Sequence, residues 1–512
     1  MKKALALLLS MVLIIGGFAG CGSGDDETKD ENTLTMFMHF FGYCVYDEDW
    51  PLFQKASEIT GIKIKGTVSE SISDSSQAWN TMLVSNKLPD IIHSTENNLL
   101  DLAEMGGLIP LDDYITSDKY PNIKKFFEEC PEARFHATSD DGHIYFIPGS
   151  LSGIERDAVT SKGWFIRADW LEKLGLEKPK TVDELYTVLK AFKTQDPNGN
   201  GKADEIPLFG RQEVVHDLFQ LFGAHFTWYE DENGKLVHGK TQESYKNAVR
   251  EIAKWYKEGL IDAEAYTRGG QAREQLLSAN LGGVTHDWFS STGKFAETYK
   301  DVVPGFKWEW MLPPADSNGV VKEVRSRSAL HGLGWGISKD NKKIEKTLEY
   351  FDFWLSPEGC ELNAYGIEGV HHTVVDGQKV FKDEVLNAEG GVPTYMRNQG
   401  QVEIGTVGSI EGELSGMNEV AKSGFMAYEE GGFVLPEFYM GRYTKEESEI
   451  ASNIVTNINT YIDECEQKWI LGTSNVDKDW DNYIKELEKL NIKEYSRIVN
   501  SAYSRKKAIL NK

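Results

Sequence analysis

Cysteine is scarce in this sequence, and the few cysteines present are far apart. There are five among 512 residues, namely Cys21, Cys44, Cys130, Cys360 and Cys465. No two of them stand at the short spacing that a zinc site needs, so a cysteine-based zinc centre is excluded. The last four could form two disulfides by count, but the sequence does not determine a pairing. We expect free, mostly buried thiols.

Basic charge is also scarce. Lys and Arg together number 55 against 80 Asp and Glu, so the formal net charge is -25. A chain this acidic repels the phosphates of nucleic acids and the headgroups of anionic membranes. We therefore expect no nucleic-acid partner and no electrostatic docking on a membrane.

The apolar run at the start of the chain is too short to span a membrane. It extends from Ala4 to Ile15, whereas a spanning helix needs about 20 apolar residues. Two lysines precede the run, and small residues lead from it to Cys21, which is the order of a secretion signal and its cleavage site. The sequence Phe18-Ala19-Gly20-Cys21 resembles a bacterial lipobox, although Phe18 departs from the usual Leu, Val or Ile.

These features predict a lipid-anchored protein. We expect cleavage to remove the signal peptide, residues 1–20, and a diacylglyceryl group and palmitate to be attached at Cys21. Residues 21–33 are rich in polar and charged side chains, a composition that predicts a disordered tether. The lipid would hold the protein at the extracellular face of the bacterial cytoplasmic membrane.

The loop from Asp196 to Glu205 has oxygen-bearing side chains at every second position and ends in two adjacent carboxylates. A hard cation such as Ca²⁺ takes about 6 to 8 oxygen ligands. Gly201 permits the sharp turn that such a loop needs. The predicted ligands are the side chains of Asp196, Asn198, Asn200, Asp204 and Glu205 and the backbone carbonyl of Lys202. The pattern therefore predicts a calcium site.

The loop is not an EF-hand, and a plainer interpretation of it exists. An EF-hand has a bidentate Glu at loop position 12, and that position is Pro207 here. The closing carboxylate must therefore come earlier, from Glu205. A solvated turn rich in Asn and Gly uses the same residue types, but it does not explain the alternating oxygens or the adjacent Asp204 and Glu205.

The rest of the chain alternates strand and helix patterns. Leu34 to Phe40 alternates like a half-buried strand, and apolar stripes at helical spacing run from Tyr245 to Tyr256 and from Trp480 to Leu490. Thr181 and Glu184 form a capping box that opens the helix leading into the calcium loop. The chain is too long for one ordinary core, so two α/β lobes are expected.

Several phrases along the chain resemble one protein family. The longest covers residues 163–208 and includes the calcium loop. The others are LPDIIHS at 88–94, GGLIPLDDYI at 106–115, DGHIYFIPG at 141–149, YKEGLIDAEAY at 256–266, YGIEGVHHT at 365–373 and DWDNYIKELEKL at 479–490. Together they are similar to the family 1 extracellular solute-binding lipoproteins of carbohydrate ABC importers, and most of all to the branch that includes alginate-oligosaccharide-binding proteins.

The resemblance implies a type II periplasmic-binding-protein fold, with two α/β lobes around a hinged ligand cleft. We place residues 34–148 and about 305–360 in the first lobe, and about 149–304 and 361–512, with the calcium loop 196–205, in the second. The resemblance also implies that the loop binds Ca²⁺ and that the protein is not an enzyme. The implied function is capture of a sugar, expected to be an oligosaccharide, by a monomeric protein that delivers it to the transmembrane subunits of an ABC permease.

A sugar site needs aromatic faces and polar hydrogen-bonding groups in a cleft. Many tryptophans stand inside helical patterns and are predicted to be core. Others stand at segment ends or beside glycine, and the candidate ligand-binding aromatics are Trp288, Trp79, Tyr145 and Trp335. The polar candidates are His286, Asp287 and Arg327. For Asp287 and Arg327 a salt bridge is the alternative, and Arg327 could also bind a sugar carboxylate.

Three other functions stay open at this point. Residues Gly149 to Gly153 match the nucleophile-elbow pattern, which would make Ser152 a hydrolase nucleophile, but an elbow needs a strand leading into a helix and Pro148 ends the apolar segment here. A glycan-degrading surface lipoprotein is possible by composition, since its carboxylate pair is defined by a separation of roughly 5 to 10 Å that the sequence does not show. A binder of peptides or other small molecules could use the same fold.

Overall fold

The structure is a computed structural model that describes residues 31–40, 44–69, 71–85, 87–150, 153, 159–211, 214–328, 330–389, 391–436 and 440–510. The predicted signal peptide, the lipidation site Cys21 and the candidate nucleophile Ser152 lie outside the described residues. Cys130, Cys360 and Cys465 carry free thiols, as expected for these three. Within the described ranges, no helix is long and apolar enough to cross a membrane.

A six-stranded mixed sheet forms the centre of the first lobe. Its strands are Thr33–Phe40, Cys44–Val45, Lys63–Gly66, Ile91–Thr95, Phe146–Gly149 and His331–Ile337. Thr33–Phe40 is parallel to Lys63–Gly66 and to Ile91–Thr95. His331–Ile337 runs antiparallel between Ile91–Thr95 and Phe146–Gly149. The inner strands are buried on both faces, so the prediction of a half-buried strand at Leu34 to Phe40 was wrong: every residue from Met36 to Phe40 is buried, because the strand lies inside the sheet with helices on its faces.

Helices surround this sheet. They are Pro51–Thr60, Ser75–Val84, Glu96–Glu104, Asp112–Ile115, Pro121–Glu129, Pro131–Ala137, Ile344–Trp354 and Pro357–Tyr365. Proline suits the first helical position of four of them, because the first turn has no intrahelical acceptor for its N–H groups. A small appendage, the hairpin of His372–Val375 with Gln378–Phe381 and the helices Asp383–Leu386 and Val392–Arg397, has its own minor core.

A four-stranded sheet forms the centre of the second lobe, in the order Trp308–Met311, Lys162–Arg167, Gly282–Trp288 and Ile206–Leu208. Lys162–Arg167 is antiparallel to both of its neighbours, and Ile206–Leu208 is parallel to Gly282–Trp288. A separate hairpin joins Trp228–Glu230 to Leu236–His238, and 3₁₀ turns cover Phe219–Phe222 and Gly239–Thr241.

Many helices pack around this second sheet. They are Ala168–Leu174, Val182–Thr194, Val214–Asp217, Glu243–Lys257, Ala272–Ser278, Phe289–Gly293, Phe295–Tyr299, Ile410–Ser415, Glu419–Gly431, Lys445–Ile470, Val476–Lys489 and Ile492–Leu510. Glu243–Lys257 and Val476–Lys489 confirm the two apolar stripes predicted from the sequence, and both bury those stripes in the core of the lobe. Val182–Thr194 confirms the predicted helix start, because Thr181 accepts a hydrogen bond from the Glu184 N–H. The predicted capping box is incomplete, since the Glu184 side chain accepts from the Lys180 N–H at 2.7 Å.

Three chain segments connect the lobes, after Gly149, after Arg327 and after Ile404. The Ser150 N–H donates to the Thr406 carbonyl at 2.8 Å, and the Ser150 carbonyl accepts from the Gly408 N–H at 2.6 Å. The short strands Val159–Thr160 and Ser326–Arg327 pair antiparallel. The crossings therefore support one another at a common hinge.

The lobe boundaries differ from the predicted ones at two places. Trp308–Met311 belongs to the second sheet, although residues 305–360 were predicted to lie in the first lobe. Leu362, Val402 and Ile404 pack in the core of the first lobe, although residues after 360 were predicted to lie in the second. The reason is that an apolar segment looks the same in sequence whichever sheet it joins. Because the chain passes between the lobes three times, the sequence pattern does not show to which lobe each segment belongs.

Candidate ligand cleft and calcium loop

The two sheets each have a carboxyl edge at which several strands end. In the first sheet the strands that run in one direction end at Phe40, Thr95 and Gly149, and in the second they end at Leu208, Trp288 and Met311. The chain leaves the first edge after Gly149 and enters the second edge at Lys162, so the crossings join these edges. Ligands of open α/β sheets bind outside the carboxyl ends of the strands. The candidate cleft therefore lies between the two carboxyl edges.

Trp288 lies at the second carboxyl edge. It is the last residue of strand Gly282–Trp288 and pairs with Lys162 at the start of the neighbouring strand. Its exposed fraction is 41%, which is high for a tryptophan at the end of a buried strand. An indole exposed in this position is available to stack on a sugar ring.

Asp287 is buried next to Trp288 and forms ion pairs with two arginines. Arg211 donates from Nε to Asp287 Oδ2 at 2.8 Å, and Arg273 Nη1 lies 3.3 Å from the same oxygen. Burial acts to raise the pKa of Asp287, but the two guanidinium groups outweigh it and the pKa is lowered. Asp287 therefore acts as an anchor for Arg211, whose side chain is 36% exposed.

His286 is fully buried between two carboxylates. Its Nδ1 lies 2.9 Å from Asp217 Oδ2, and its Nε2 lies 3.0 Å from Glu323 Oε2. Burial opposes protonation, but Glu323 and Asp217 raise the pKa of His286 to about 9, so the ring is an imidazolium at neutral pH. Arg325 Nε also contacts Asp217, at 2.6 Å. His286 thus ties the strand to its neighbours and has no surface for a ligand.

Two other predicted residues make contacts within the protein. Arg327 lies on the short strand Ser326–Arg327 at the hinge. Its Nη2 lies 2.9 and 2.8 Å from the two carboxylate oxygens of Glu413, so it forms the salt bridge given above as the alternative to ligand binding. Trp79 is half-buried in the first lobe, with its ring edge-on to Phe37 at 5.7 Å between centroids.

The structure does not bring Tyr145 or Trp335 to the carboxyl edges. Tyr145 precedes strand Phe146–Gly149, at the end opposite to the hinge, and its hydroxyl donates to Asp141 at 2.6 Å. Trp335 is 0% exposed and stacks on Phe351 at 4.5 Å. The glycines beside Trp335 indicate close packing rather than exposure, since a Cβ at Gly334 would lie 2.4 Å from the Ile147 carbonyl oxygen.

Sequence reasoning missed most of the charged groups at the second edge. They are Lys162, Arg211, Asp217, Arg273, Glu323 and Arg325. Arg211 and Asp287 are 76 residues apart in sequence, and Asp217 and Arg325 are 108 apart. The sequence signal that could have identified such residues is their position, since Lys162 and Arg211 lie next to apolar segments that form strands.

The predicted calcium loop is a compact turn that gathers oxygen atoms. The Asp196 carboxylate accepts hydrogen bonds from the N–H groups of Asn200 at 3.1 Å and Gly201 at 3.0 Å. The Asp204 carboxylate accepts from the side-chain amides of Asn198 at 3.2 Å and Asn200 at 3.0 Å. The Lys202 N–H donates to Asn200 Oδ1 at 2.8 Å. The turn lies between helix Val182–Thr194 and strand Ile206–Leu208, as predicted.

Glu205 provides the test of whether this loop suits a cation. Its side chain is fully buried, and neither carboxylate oxygen has a hydrogen-bond partner. Burial raises the pKa of Glu205 and repulsion from Asp196 and Asp204 adds to the rise, while the nearby backbone N–H groups of Glu205 and Asn198 oppose it. A buried carboxylate without a partner is unfavourable unless a positive charge compensates it. The loop's oxygens and this carboxylate therefore fit a hard divalent cation.

The amide oxygens of the loop accept hydrogen bonds within it, from the Asn200 N–H to Asn198 Oδ1 and from the Lys202 N–H to Asn200 Oδ1. In the part of the chain that the structure describes, no group of three or more His, Cys, Asp or Glu side chains is arranged as a metal cluster. The side-chain amides of Asn200 and Asn198 donate to the Asp204 carboxylate and lower its pKa.

The sequence and the fold are similar to those of known proteins. The model of the bacterial extracellular solute-binding protein family matches residues 46–359. The fructooligosaccharide ABC transporter substrate-binding protein FusA of Streptococcus pneumoniae serotype 4 is 30% identical over 495 residues, which cover 89% of this chain and 87% of FusA.

Two solved structures are also similar. That of the alginate-binding protein AlgQ2 without calcium ion has a TM-score of 0.77 and 35% identity, and covers 92% of this chain and 98% of AlgQ2. That of the S. pneumoniae FusA EF-hand mutant in complex with fructo-nystose has a TM-score of 0.67 and 26% identity, and covers 94% of this chain and 100% of that one.

Proposed function

Because the chain belongs to the bacterial extracellular solute-binding protein family, we propose that it captures an oligosaccharide outside the cell and delivers it to the transmembrane subunits of an ABC permease. The observation that carries this proposal is the exposed indole of Trp288 at a carboxyl edge beside the hinge. Similar proteins that bind fructooligosaccharide and alginate support a carbohydrate ligand.

Binding by a hinged pair of lobes requires no reacting group. A ligand that contacts both carboxyl edges favours the closed arrangement by its differential contacts. Trp288 would stack on one sugar ring, while Arg211, anchored by Asp287, would donate hydrogen bonds to hydroxyl groups. The protein is thus a carrier that releases its ligand unchanged.

The loop 196–205 is proposed to hold one structural Ca²⁺. Asp196, Asn198, Asn200, Asp204 and Glu205 would supply side-chain oxygens and Lys202 its carbonyl. Bound Ca²⁺ would compensate the buried charge of Glu205 and fix the connection between helix Val182–Thr194 and strand Ile206–Leu208. The AlgQ2 structure without calcium ion and the FusA EF-hand mutant support calcium loops in similar proteins.

The location and state of the protein are also proposals. A lipid on Cys21 would anchor a monomer to the extracellular face of the bacterial cytoplasmic membrane, close to the permease. Replacing Cys21 by Ser should abolish labelling with radioactive palmitate and release the protein from the membrane fraction. Unlabelled wild-type protein recovered entirely from the medium would contradict the anchor.

The test of function is a panel of oligosaccharides, read by thermal shift and then by titration calorimetry, with a product assay on every sugar that binds. We expect binding without turnover, and Trp288→Ala should weaken it by about 1 to 3 kcal/mol, the contribution of a buried aromatic contact. Tyr145→Phe is the matched control and should leave the affinity unchanged. Hydrolysis of a bound glycan would show that the protein is an enzyme and would contradict the proposed carrier function.

A further inference from the structure

Trp288 lies at a junction between a strand and a helix. It is the last residue of strand Gly282–Trp288, and the helix Phe289–Gly293 begins directly after it. The residues on both sides of it are buried, since Asp287 is 2% exposed and Phe289 is 1% exposed, whereas Trp288 itself is 41% exposed. The position of the exposed indole therefore depends on the buried groups that hold this junction.

The guanidinium group of Arg273 contacts the junction on both sides of Trp288. Its Nη1 lies 3.3 Å from Asp287 Oδ2, on the strand side. On the helix side the same nitrogen donates to Thr292 Oγ1 at 2.7 Å and to Ser291 Oγ at 3.1 Å. One nitrogen thus links the residue before Trp288 to residues in the helix that follows it.

The Asp287 carboxylate extends this link to Trp288. Its Oδ1 accepts a hydrogen bond from the Trp288 N–H at 2.8 Å, while its Oδ2 faces Arg273. A hydrogen bond to an ionised acceptor is stronger than one between neutral groups. The contacts from Arg273 through Asp287 therefore hold the backbone from which the indole projects.

Arg273 differs in its surroundings from Arg211, the other arginine that contacts Asp287. The Arg211 side chain is 36% exposed, whereas that of Arg273 is 6% exposed and lies over the Phe295 ring, with Cζ 5.4 Å from the ring centroid. Arg273 Nε is fully buried and has no hydrogen-bond partner among the described residues. An arginine enclosed in this way is not accessible to a sugar in the cleft, so any effect of Arg273 on binding must act through its neighbours.

We propose that Arg273 is a positioning residue for carbohydrate binding, which holds the Trp288 indole in the orientation that stacks on a sugar ring. The proposal rests on the proposed function. If the indole were mobile, the ligand would have to order it, and ordering one side chain weakens affinity by about two- to tenfold. Arg273 removes this penalty before the ligand arrives.

The first test compares Arg273→Lys with the wild type, because lysine keeps the positive charge but lacks the planar fork of donors. Titration calorimetry of the mature protein uses each panel sugar that the wild type binds, beginning with kestose. We expect the affinity of Arg273→Lys to be about two- to tenfold weaker. In the Trp288→Ala background, Arg273→Lys should cause no further loss, because the indole that it positions is absent.

A spectroscopic readout separates positioning from general support of the fold. In ligand-free protein labelled with fluorotryptophan, the fluorine NMR resonance that disappears in Trp288→Phe belongs to Trp288. We expect one narrow Trp288 resonance in the wild type and a broadened or divided one in Arg273→Lys. Thr292→Val removes an acceptor at the other end of the contact, so it should have a smaller effect in the same direction. If melting curves showed that Arg273→Lys does not fold, Thr292→Val would decide by the same two readouts.

The matched control is Arg167→Lys. Arg167 is 1% exposed and donates from Nε and Nη2 to Asp169, but it lies at the opposite end of strand Lys162–Arg167 from the residue that pairs with Trp288. This variant should keep the wild-type affinity and the wild-type Trp288 resonance.

Two results would overturn the positioning role and leave the carrier function standing. One is an unchanged Trp288 resonance in Arg273→Lys, and the other is an equal loss of affinity from Arg273→Lys with and without the Trp288 indole. If the wild type bound no member of the oligosaccharide panel, the carrier function and the role of Arg273 in it would both fall.

Discussion

Two buried histidines near the carboxyl edges have opposite surroundings. His39 of the first lobe contacts only neutral groups, Ser75 Oγ and the Ile72 carbonyl. His286 of the second lobe lies between the carboxylates of Asp217 and Glu323. The helix beside His39 has no charge, whereas Asp217 beside His286 also holds Lys162 and Arg325.

The difference suggests a division of roles between the two walls of the cleft. The groups around His39 are neutral, whereas Glu96, which follows the strand end Thr95 at the same edge, is buried and lies 2.7 Å from His136 Nδ1, so the first wall is only partly neutral. A network of buried, mutually satisfied charges is rigid and holds Trp288 in one place. We expect the second lobe to hold Trp288 as the fixed platform.

The largest effect should come from His286→Ala. It leaves Asp217 and Glu323 with one cation fewer in a buried network, and breaking such a network is expected to lower the free energy of unfolding by about 3 to 5 kcal/mol. His39→Ala is the matched control and should lower it by only about 1 to 3 kcal/mol, the effect of unmade neutral hydrogen bonds. Urea unfolding of both variants would check this, and equal losses would remove the distinction between the walls.

The pH dependence of stability should report the charge on His286. The folded state raises the pKa of His286 to about 9, above its ordinary value. The stabilisation from its charge is therefore complete below the unfolded pKa near 6.5 and is lost as the pH rises through about 9. His286→Gln should flatten the dependence of the melting temperature on pH over this window, and an unchanged slope would contradict a charged His286.

Calcium removal should have the next largest effect, and it should be confined to the second lobe. Ca²⁺ that binds only the folded state stabilises it by about 2.7 kcal/mol at a 100-fold excess over the dissociation constant. EDTA should lower the melting temperature, and Asp196→Ala should have the same effect. Asp231→Ala, in an Asn/Gly turn held by similar hydrogen bonds, is the control and should keep the calcium response.

The calcium effect should also grow with pH. Because burial raises the pKa of Glu205, the calcium-free protein gains from its protonation, and this stabilisation is lost as the pH rises through the raised pKa. Ca²⁺ needs the ionised carboxylate. The calcium-induced rise in melting temperature should therefore be larger at pH 7 than at pH 5, and a constant rise would argue against Glu205 as a ligand.

The smallest effect should come from a contact between the lobes. Arg442 of the second lobe forms an ion pair with Glu104 of the first lobe at 2.9 Å. Since partly exposed ion pairs contribute about 0 to 1 kcal/mol, Arg442→Gln should weaken sugar affinity by no more than about fivefold by favouring the open arrangement. Arg497→Gln, which breaks a pair within one helix, should leave affinity unchanged. Small-angle scattering of the ligand-free proteins would report the opening.

Features encoded in contiguous residues were predictable from the sequence. The turn from Asp196 to Glu205 forms because hydrogen bonds join residues two to six positions apart. The helices Glu243–Lys257 and Val476–Lys489 follow from apolar residues that recur at helical spacing. The family resemblance and the α/β two-lobe fold were predictable for the same reason, since the phrases that carry them are local.

The cleft was decided by the tertiary structure. Arg211 meets Asp287, and Asp217 meets Arg325, only because separate strands end at one carboxyl edge. Trp288 and Trp335 look alike in sequence, yet one ends a strand at the hinge and the other is sealed by close-packed glycine backbone. Local spacing determines which groups a turn or helix presents, whereas the pairing of distant strands determines which of those groups face the same space.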